Sequence, residues 1–293
     1  MRSGFVAVVG RPNVGKSTLV NQMVGSKVAI TSTRPQTTRN VIRGVVTEPE
    51  YQLVLVDTPG LHKPRTELGA RLNALVARSL AESDSVVFVI DATAPIGPGD
   101  RLVAERLVES GANTVVAVNK IDRATKAQVL EQLVEAAEWP FPDVFPVSAA
   151  TGQGVGALRD ELAAALPDGP ALYPVGMVTD QSEEVVVAEI VREKFLDRLR
   201  EELPHSLVVR VTEMATSEDG RVVVEADVVV ERDSQMGIVI GKGGEMLKTA
   251  GTEARKELET IMGAAVTLDL RVVVERDWQR RPQLLDRLGF DAR

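Results

Sequence analysis

Residues 10–17 read Gly10-Arg11-Pro12-Asn13-Val14-Gly15-Lys16-Ser17, two glycines with four residues between them, followed by Lys and Ser. No other feature of the chain constrains its fold as strongly. Such a loop needs a strand to deliver it and a helix N-terminus behind it, because inward-turned backbone N–H groups and the helix's partial positive charge hold phosphate. The flanks comply. Phe5-Val6-Ala7-Val8-Val9 is a buried-strand run, and Thr18-Leu19-Val20-Asn21-Gln22-Met23-Val24 has helical character and stops at Gly25. In this arrangement the stretch Gly10 to Gly15 cradles α and β phosphates and Lys16 reaches the β and γ oxygens. The Ser17 hydroxyl holds Mg²⁺, with Thr18 beside it.

Asn119-Lys120-Ile121-Asp122 follows the apolar run Thr114-Val115-Val116-Ala117-Val118, at a strand's C-terminal end, where open α/β sheets bind ligands. A carboxylate at Asp122 accepts from both the ring N1–H and the exocyclic amino group of guanine, a donor pair adenine lacks. Asn119 ties this loop to the phosphate loop, and the stem of Lys120 lies against the base. Read alone, the tetrapeptide is an ordinary strand-to-helix turn with Asp122 as a cap; the phosphate loop upstream favours guanine.

Three further pieces come in the expected order. Asp57-Thr58-Pro59-Gly60 ends the run Leu53-Val54-Leu55-Val56, so Asp57 contacts Mg²⁺ through water and the Gly60 N–H senses a γ-phosphate. Thr31 to Asn40 is polar and non-periodic and reads as a mobile loop; one of Thr37 and Thr38 closes on Mg²⁺, and Thr38 is preferred. Ser148-Ala149 follows Val144-Phe145-Pro146-Val147, and its backbone contacts the guanine oxygen.

A chain of 293 residues accommodates about two domains. It has no Cys, hence no disulfide, which suits a reducing cytosol. The N-terminus enters a strand within about four residues, which leaves no room for a signal peptide, and no apolar run approaches the roughly 18 residues of a membrane span. The net charge of −8 gives no global attraction to nucleic acid or anionic lipid, and it is unevenly shared: residues 177–293 carry 17 Lys and Arg against 24 Asp and Glu.

Residues 1–166 alternate strand runs with helical patterns, as a doubly wound, mostly parallel α/β sheet requires. Residues 167–180 form the expected linker, with three prolines and two glycines in Pro167 to Gly176. Residues 181–293 read as an α+β domain: a helix over 182–203, strands over 206–213 and 221–231 joined by Ser217-Glu218-Asp219-Gly220, a short helix, a glycine loop, a helix to Met262, a strand over 265–275 and a last helix over 278–288. The loop is Gly241-Lys242-Gly243-Gly244. A Gly-x-x-Gly loop between two helices lets a nucleic-acid backbone approach peptide N–H groups, and it matches the KH clamp for single-stranded RNA. Lys242 supplies charge, and Lys248, Arg232, Arg255 and Lys256 add a rim among interspersed acids. A plain helix-loop-helix corner is the alternative, and the few aromatics exclude base stacking as the main source of affinity.

The order of these motifs, the linker and Val239-Ile240-Gly241-Lys242-Gly243-Gly244 together resemble the Era family, bacterial GTPases with a C-terminal type II KH domain. The resemblance spans essentially the whole chain, with Gly10 to Ser17, Gln36 to Asn40, Asp57 to Gly60 and Asn119 to Asp122 at that family's motif positions. It implies a P-loop GTPase domain followed by a KH domain, a monomer that turns GTP into GDP, and binding to the 3′ end of 16S rRNA during small-subunit maturation. Its implied place is cytoplasmic, or peripheral at the inner face of the cell membrane. One position sets the mechanism. Where Ras-type enzymes carry a water-orienting Gln, this chain has Leu61. The resemblance is thus to GTPases that use K⁺ held partly by a phosphate-loop Asn, here Asn13, beside Lys16, Thr38 and Gly60; His62 reads equally as a solvated residue or a water-orienting one. Two rivals stay open: a nucleotide kinase, which needs an acceptor lid not found in the sequence, and a GTP-dependent membrane or protein-interaction regulator without RNA binding.

Overall fold

The computed structural model describes every residue except Thr33, Pro35, Gln36, His62, Lys63, Arg65, Arg200 to Glu202 and Asp291 to Arg293, so Gln36 and His62 lie outside the described residues. The chain divides into two compact units: residues 1–31, 38–64 and 72–180 form one, and residues 32–37, 65–71 and 181–293 the other.

The first unit is built on β1 (Arg2–Val9), α1 (Lys16–Val24), β2 (Ile42–Thr47), β3 (Tyr51–Asp57), α2 (Glu67–Ala81, of which residues from Leu72 belong here), β4 (Ser85–Asp91), α3 (Pro98–Ser110), β5 (Thr114–Asn119), α4 (Lys126–Ala136), β6 (Asp143–Pro146) and α5 (Val155–Ala165). The sheet order is β2-β3-β1-β4-β5-β6, parallel except for β2, as a doubly wound fold requires. Helices cover both faces, so strands such as Ser85–Asp91 are buried at every position and carry continuous rather than alternating apolar runs. The strand order reverses between β1 and β4, and the phosphate loop leaves β1 at that switch point. Register then sets the rim: Val8 lies beside Asp57 and Asp91 beside Asn119, so four strands deliver their last residues to one edge.

The stretch expected to be a linker is pinned along this unit up to Asp180. Ser3 N–H donates to the Pro167 carbonyl and its hydroxyl to the Pro170 carbonyl; Gln52 Oε1 accepts from the N–H groups of Leu172 and Tyr173. Val45 N–H donates to the Val178 carbonyl, and Asp180 takes bonds from Tyr173 and Arg43. Prolines that cannot join a ladder still present carbonyls, and here those carbonyls hold the strap down.

The second unit contains α6 (Glu183–Leu196), α7 (Leu203–Ser206), β7 (Val208–Thr216), β8 (Val222–Val230), α8 (Asp233–Ile240), α9 (Glu245–Met262), β9 (Val266–Val274) and α10 (Pro282–Arg287). β7 and β8 form the expected hairpin, and β9 runs parallel to β8, giving the mixed three-stranded sheet of a type II KH domain. The core packs Val187, Ile190, Val191 and Phe195 of α6 and Ala250, Ala254 and Leu258 of α9 against Val224, Ala226, Val228 and Val230, the inward positions of one strand. Two expectations need correction. The first helix stops at Leu196 rather than 203, and the Leu199 carbonyl accepts from the Arg34 guanidinium instead of continuing a helical ladder. The last helix is broken: Trp278–Arg280 is a 3₁₀ turn, Arg281 is extended, and α10 begins at Pro282. A proline disfavours helical backbone at the residue before it and suits a helix's first position, so the break falls where Pro282 puts it. Trp278 is nevertheless fully buried, stacks on Phe290 and donates to the Ser206 carbonyl.

Candidate functional site

The phosphate loop is drawn tight by its own residues. The Lys16 ammonium is buried and donates to the carbonyls of Gly10 and Arg11 at 3.2 and 3.1 Å. Burial lowers its pKa to about 8, opposed by the Asp57 carboxylate. Gly15 has φ +99°, and a Cβ there would lie 2.4 Å from Asn119 Nδ2, so only glycine lets the Asn119 loop approach. Asn119 uses that contact, donating to the Val14 carbonyl at 2.8 Å and accepting from the Ala149 N–H at 2.9 Å. Arg11 Nε pairs with Asp100 at 3.1 Å, while Thr58 donates to the Val8 carbonyl. Gly60 packs on Pro12: a Cβ at Gly60 would meet the Pro12 nitrogen at 2.8 Å, which fixes how near its N–H comes to the phosphate loop.

Three oxygens expected at Mg²⁺ converge. Ser17 Oγ donates to Asp57 Oδ2 at 2.6 Å, and Thr38 Oγ1 lies 3.0 Å from Ser17 Oγ and 3.4 Å from Asp57 Oδ2. Thr38 is buried there; Thr37 instead turns its hydroxyl to the Arg34 carbonyl. Asp57 Oδ1 is buried with no hydrogen-bond partner among the described residues, and burial pushes the carboxyl up to about 6 despite bonds from Ser17 and the charge of Lys16. A dehydrated carboxylate oxygen beside two hydroxyls fits a hard cation with oxygen ligands. Among the described residues no cluster of three or more His, Cys, Asp or Glu exists that would suit a metal held by protein alone. A Mg²⁺ held by these oxygens would take its remaining ligands from outside the protein, as is usual for that ion.

At the base end, Asp122 Oδ1 accepts from the Ser148 hydroxyl at 2.6 Å, which orients the carboxylate. The N–H groups of Ser148 and Ala149 already have partners in the Gln153 carbonyl and Asn119 Oδ1, so a guanine oxygen entering there shares or displaces one of them. Lys120 sits in left-handed backbone with φ 68°, and its ammonium bonds the Asn13 carbonyl at 2.6 Å and Asp91 Oδ2 at 2.7 Å. Asp91 escaped the sequence reading. Burial pushes its carboxyl up, but the bonds from Lys120 and Thr93 outweigh that and hold its pKa below the ordinary value. Its sequence signal is only a carboxylate closing the apolar run 85–90; the register that sets it beside Asn119 comes from the sheet. Asn13 is also left-handed, with φ 66°, and is exposed at the loop tip. Leu61 is only 6% exposed and packs with Ala7, Val9 and Phe88 in the core, so its side chain takes no place beside the phosphates.

In the second unit, Gly241 to Gly244 turn between α8 and α9. Gly241 has φ +75°, and a Cβ there would lie 2.7 Å from the Met246 Cβ, so the turn closes only without a side chain. Nothing approaches the Cβ positions of Gly243 and Gly244, and Lys242 and Lys248 are exposed beside them. Ile238 is 54% exposed on the preceding helix, an apolar edge next to the loop. The acids of α9 are largely spent inside the unit: Glu253 pairs with Arg198, Glu257 with Lys194 and Glu259 with Arg255, which leaves the loop less acidic than the sequence count suggests. Among the described residues no helix is long and apolar enough to cross a membrane.

Comparison with known proteins covers both units. Residues 5–120 match the family of 50S ribosome-binding GTPases, and residues 202–279 match the KH domain. The GTPase Era of Mycobacterium tuberculosis H37Rv is 55% identical over 295 residues, with 98% of each chain covered. A variant of Aquifex aeolicus Era bound to GDP and AlF₄⁻ superposes with a TM-score of 0.95 at 36% identity, over 99% of both chains. An Era solved with MgGDPNP and nucleotides 1506–1542 of 16S ribosomal RNA gives the same score, identity and coverage.

Proposed function

The chain belongs to the Era family of GTPases, and from that premise we propose that it hydrolyses GTP at the Ser17, Thr38 and Asp57 site and grips the 3′ region of 16S rRNA with Gly241 to Gly244 during small-subunit assembly. The reading places it in the cytoplasm as a monomer, with any membrane attachment peripheral. The observation that carries the nucleotide half is the convergence of the Ser17 and Thr38 hydroxyls on Asp57 Oδ2, with the other carboxylate oxygen, Oδ1, buried without a hydrogen-bond partner among the described residues. The RNA half is supported by the relative solved with both ligands and by the open Gly-x-x-Gly turn.

In this mechanism Mg²⁺ at those oxygens would offset the negative charge between the β and γ phosphates. Lys16 exchanges its two carbonyl partners for phosphate oxygens, whose charge restores the proton affinity that burial removes. The Gly60 N–H, held near the phosphate loop by its contact with Pro12, donates to the γ-phosphate, and Thr38 closes from the other side. Asp122 accepts from guanine N1–H and the amino group. An aliphatic Leu61 in the core cannot polarise water; a K⁺ ion, of the kind the family resemblance implies, would be held partly by Asn13 and would supply charge stabilisation beyond that of Lys16. Departure of the γ-phosphate removes the partner of Gly60 and frees the Thr38 loop.

The test uses the full chain. Lys242→Asp with Gly243→Asp puts two carboxylates where RNA phosphates must lie, so filter binding to a single-stranded 16S 3′-end RNA should fall at least about tenfold while GTP binding is unchanged. The unmodified chain should show a shallow salt dependence, roughly −0.7 per neutralised phosphate for about two to four phosphates. Equal RNA binding with and without the substitutions would leave a protein-interaction or membrane domain as the better account.

A further inference from the structure

We propose that Asp91 is a positioning residue for nucleotide binding: it fixes the Lys120 ammonium on the Asn13 carbonyl, and that bond aims phosphate-loop N–H groups at the nucleotide and slows its release. The inference rests on the nucleotide reading above and adds to it a carboxylate outside every nucleotide motif. All the residues concerned lie in the first unit.

Asp91 closes β4 and is buried. Its two oxygens have separate tasks. Oδ1 accepts from the Thr93 N–H at 2.9 Å and from the Thr93 hydroxyl at 2.6 Å, a local turn that ends the strand. An asparagine would serve that turn as well. Oδ2 reaches out of the turn to the Lys120 ammonium at 2.7 Å, and only that bond calls for a negative charge. An ammonium on a flexible four-carbon stem has no fixed direction of its own. Here the buried carboxylate holds it within reach of a second acceptor, the Asn13 carbonyl at 2.6 Å.

The preceding residue treats the next carbonyl in the same way. Asn119 Nδ2 donates to the Val14 carbonyl at 2.8 Å, so consecutive residues of one loop take consecutive carbonyls of the other. In a trans peptide the C=O and N–H point in opposite directions, and planarity ties them together. Drawing the carbonyls of Asn13 and Val14 toward Lys120 and Asn119 therefore turns the N–H groups of Val14 and Gly15 the other way, the side on which such a loop holds phosphate oxygens. Neither N–H donates to another described residue. Asn13 and Lys120 both keep left-handed backbone, with φ 66° and 68°, which L side chains adopt at a cost, so the arrangement relaxes unless it is held. Asn119 is buried and packed in place; the Lys120 side chain is 26% exposed and is the holder that needs an anchor.

The test measures release of fluorescent GDP and of fluorescent inosine diphosphate from the full chain at fixed Mg²⁺. Asp91→Asn keeps the Thr93 bonds through its oxygen and turns an NH₂ toward the ammonium, donor against donor. Lys120→Met keeps the stem and removes the ammonium. Each single variant is expected to release both nucleotides at least about tenfold faster, the scale of one hydrogen bond between charged groups. The double variant is expected to be no faster than Lys120→Met alone, because both changes remove the same bond. The preference for GDP over inosine diphosphate, which lacks the amino group proposed to face Asp122, should stay within about twofold. Unchanged release in either single variant overturns the proposal. So do additive effects in the double variant, the mark of a merely structural Asp91, and a lost GDP preference, which would put the effect in base recognition. If Asp91→Asn does not fold, Asp91→Glu replaces it in the same cycle, and an effect that is absent, or that persists beside Lys120→Met, overturns the proposal. An unmodified chain that binds neither nucleotide would count against the nucleotide reading itself, a separate outcome.

Discussion

Replacing Asp122 with Asn tests the proposed guanine contact, here taken with Oδ1 toward the base N1–H and Oδ2 toward the 2-substituent. Ser148 donates to Asp122 Oδ1 at 2.6 Å. An amide at this position keeps that bond only with its oxygen toward Ser148, and its NH₂ group then occupies the place of Oδ2. The oxygen remains available to the N1–H that guanine and xanthine share. The NH₂ faces the 2-amino group of guanine, donor against donor, or the 2-carbonyl of xanthine, donor to acceptor. One hydrogen bond to a charged acceptor contributes about 1.5–3 kcal/mol, and an unsatisfied buried donor costs about 1 kcal/mol or more. The combined loss for guanine is therefore about 2.5–4 kcal/mol, or roughly 10²- to 10³-fold in affinity. Arg123 Nε, 3.7 Å from Oδ2 and largely exposed, adds little to this figure. The assay is displacement of a fluorescent guanine nucleotide by GDP and by xanthosine diphosphate at fixed Mg²⁺. The preference should invert in Asp122→Asn. A variant that keeps its guanine preference within about threefold would refute the atomic argument, and tight ATP binding by the unmodified chain would refute the proposed role of Asp122 altogether.

Two other expectations follow from the same site. With Leu61 buried and Asn13 exposed at the loop tip, unassisted hydrolysis should run on the order of 10⁻³ s⁻¹ or slower. K⁺ should accelerate it relative to Na⁺, and Asn13→Ala should abolish the difference; equal rates in both salts for the unmodified chain would exclude the ion. The ligand-free Asp57 carboxyl is held up to about 6 by burial, above its ordinary 3.8, so the folded chain keeps a proton that the unfolded chain has released. Stability from this group is thus full below about pH 4 and lost as pH rises through about 6, and binding of Mg²⁺ with nucleotide must expel the proton. Lys16 has the opposite sense: its folded pKa of about 8 lies below 10.5, so its contribution to stability rises with pH across that interval. Calorimetry near pH 6 in two buffers of different ionisation enthalpy should show proton release on MgGTP binding that Asp57→Asn largely removes; identical release by both chains would show that the nucleotide alone supplies it.

What the sequence by itself determined is what short contiguous stretches can encode. The phosphate loop, Asn119 to Asp122, Asp57 to Gly60 and Gly241 to Gly244 each place backbone N–H groups or one side chain at a strand or helix end, and that geometry follows from local dihedrals and periodicity. The same periodicities were enough for the doubly wound sheet and the hairpin of the second unit. Tertiary structure decided whatever joins residues with no spacing between them to read. It brought the Thr38 hydroxyl rather than that of Thr37 to Ser17 and Asp57, gave Lys120 its Asp91 partner, and drew Leu61 into the core. It pinned residues 167–180 as a strap, because Gln52 and the β2 edge satisfy backbone groups that a polar, proline-rich stretch would otherwise give to water. It also ended α6 at Leu196 and put Arg192 against the Thr37 carbonyl. A guanidinium 155 residues from the carbonyl it holds leaves no periodic trace in the chain, since its partner is chosen by the packing of whole elements and not by the dihedrals of its neighbours.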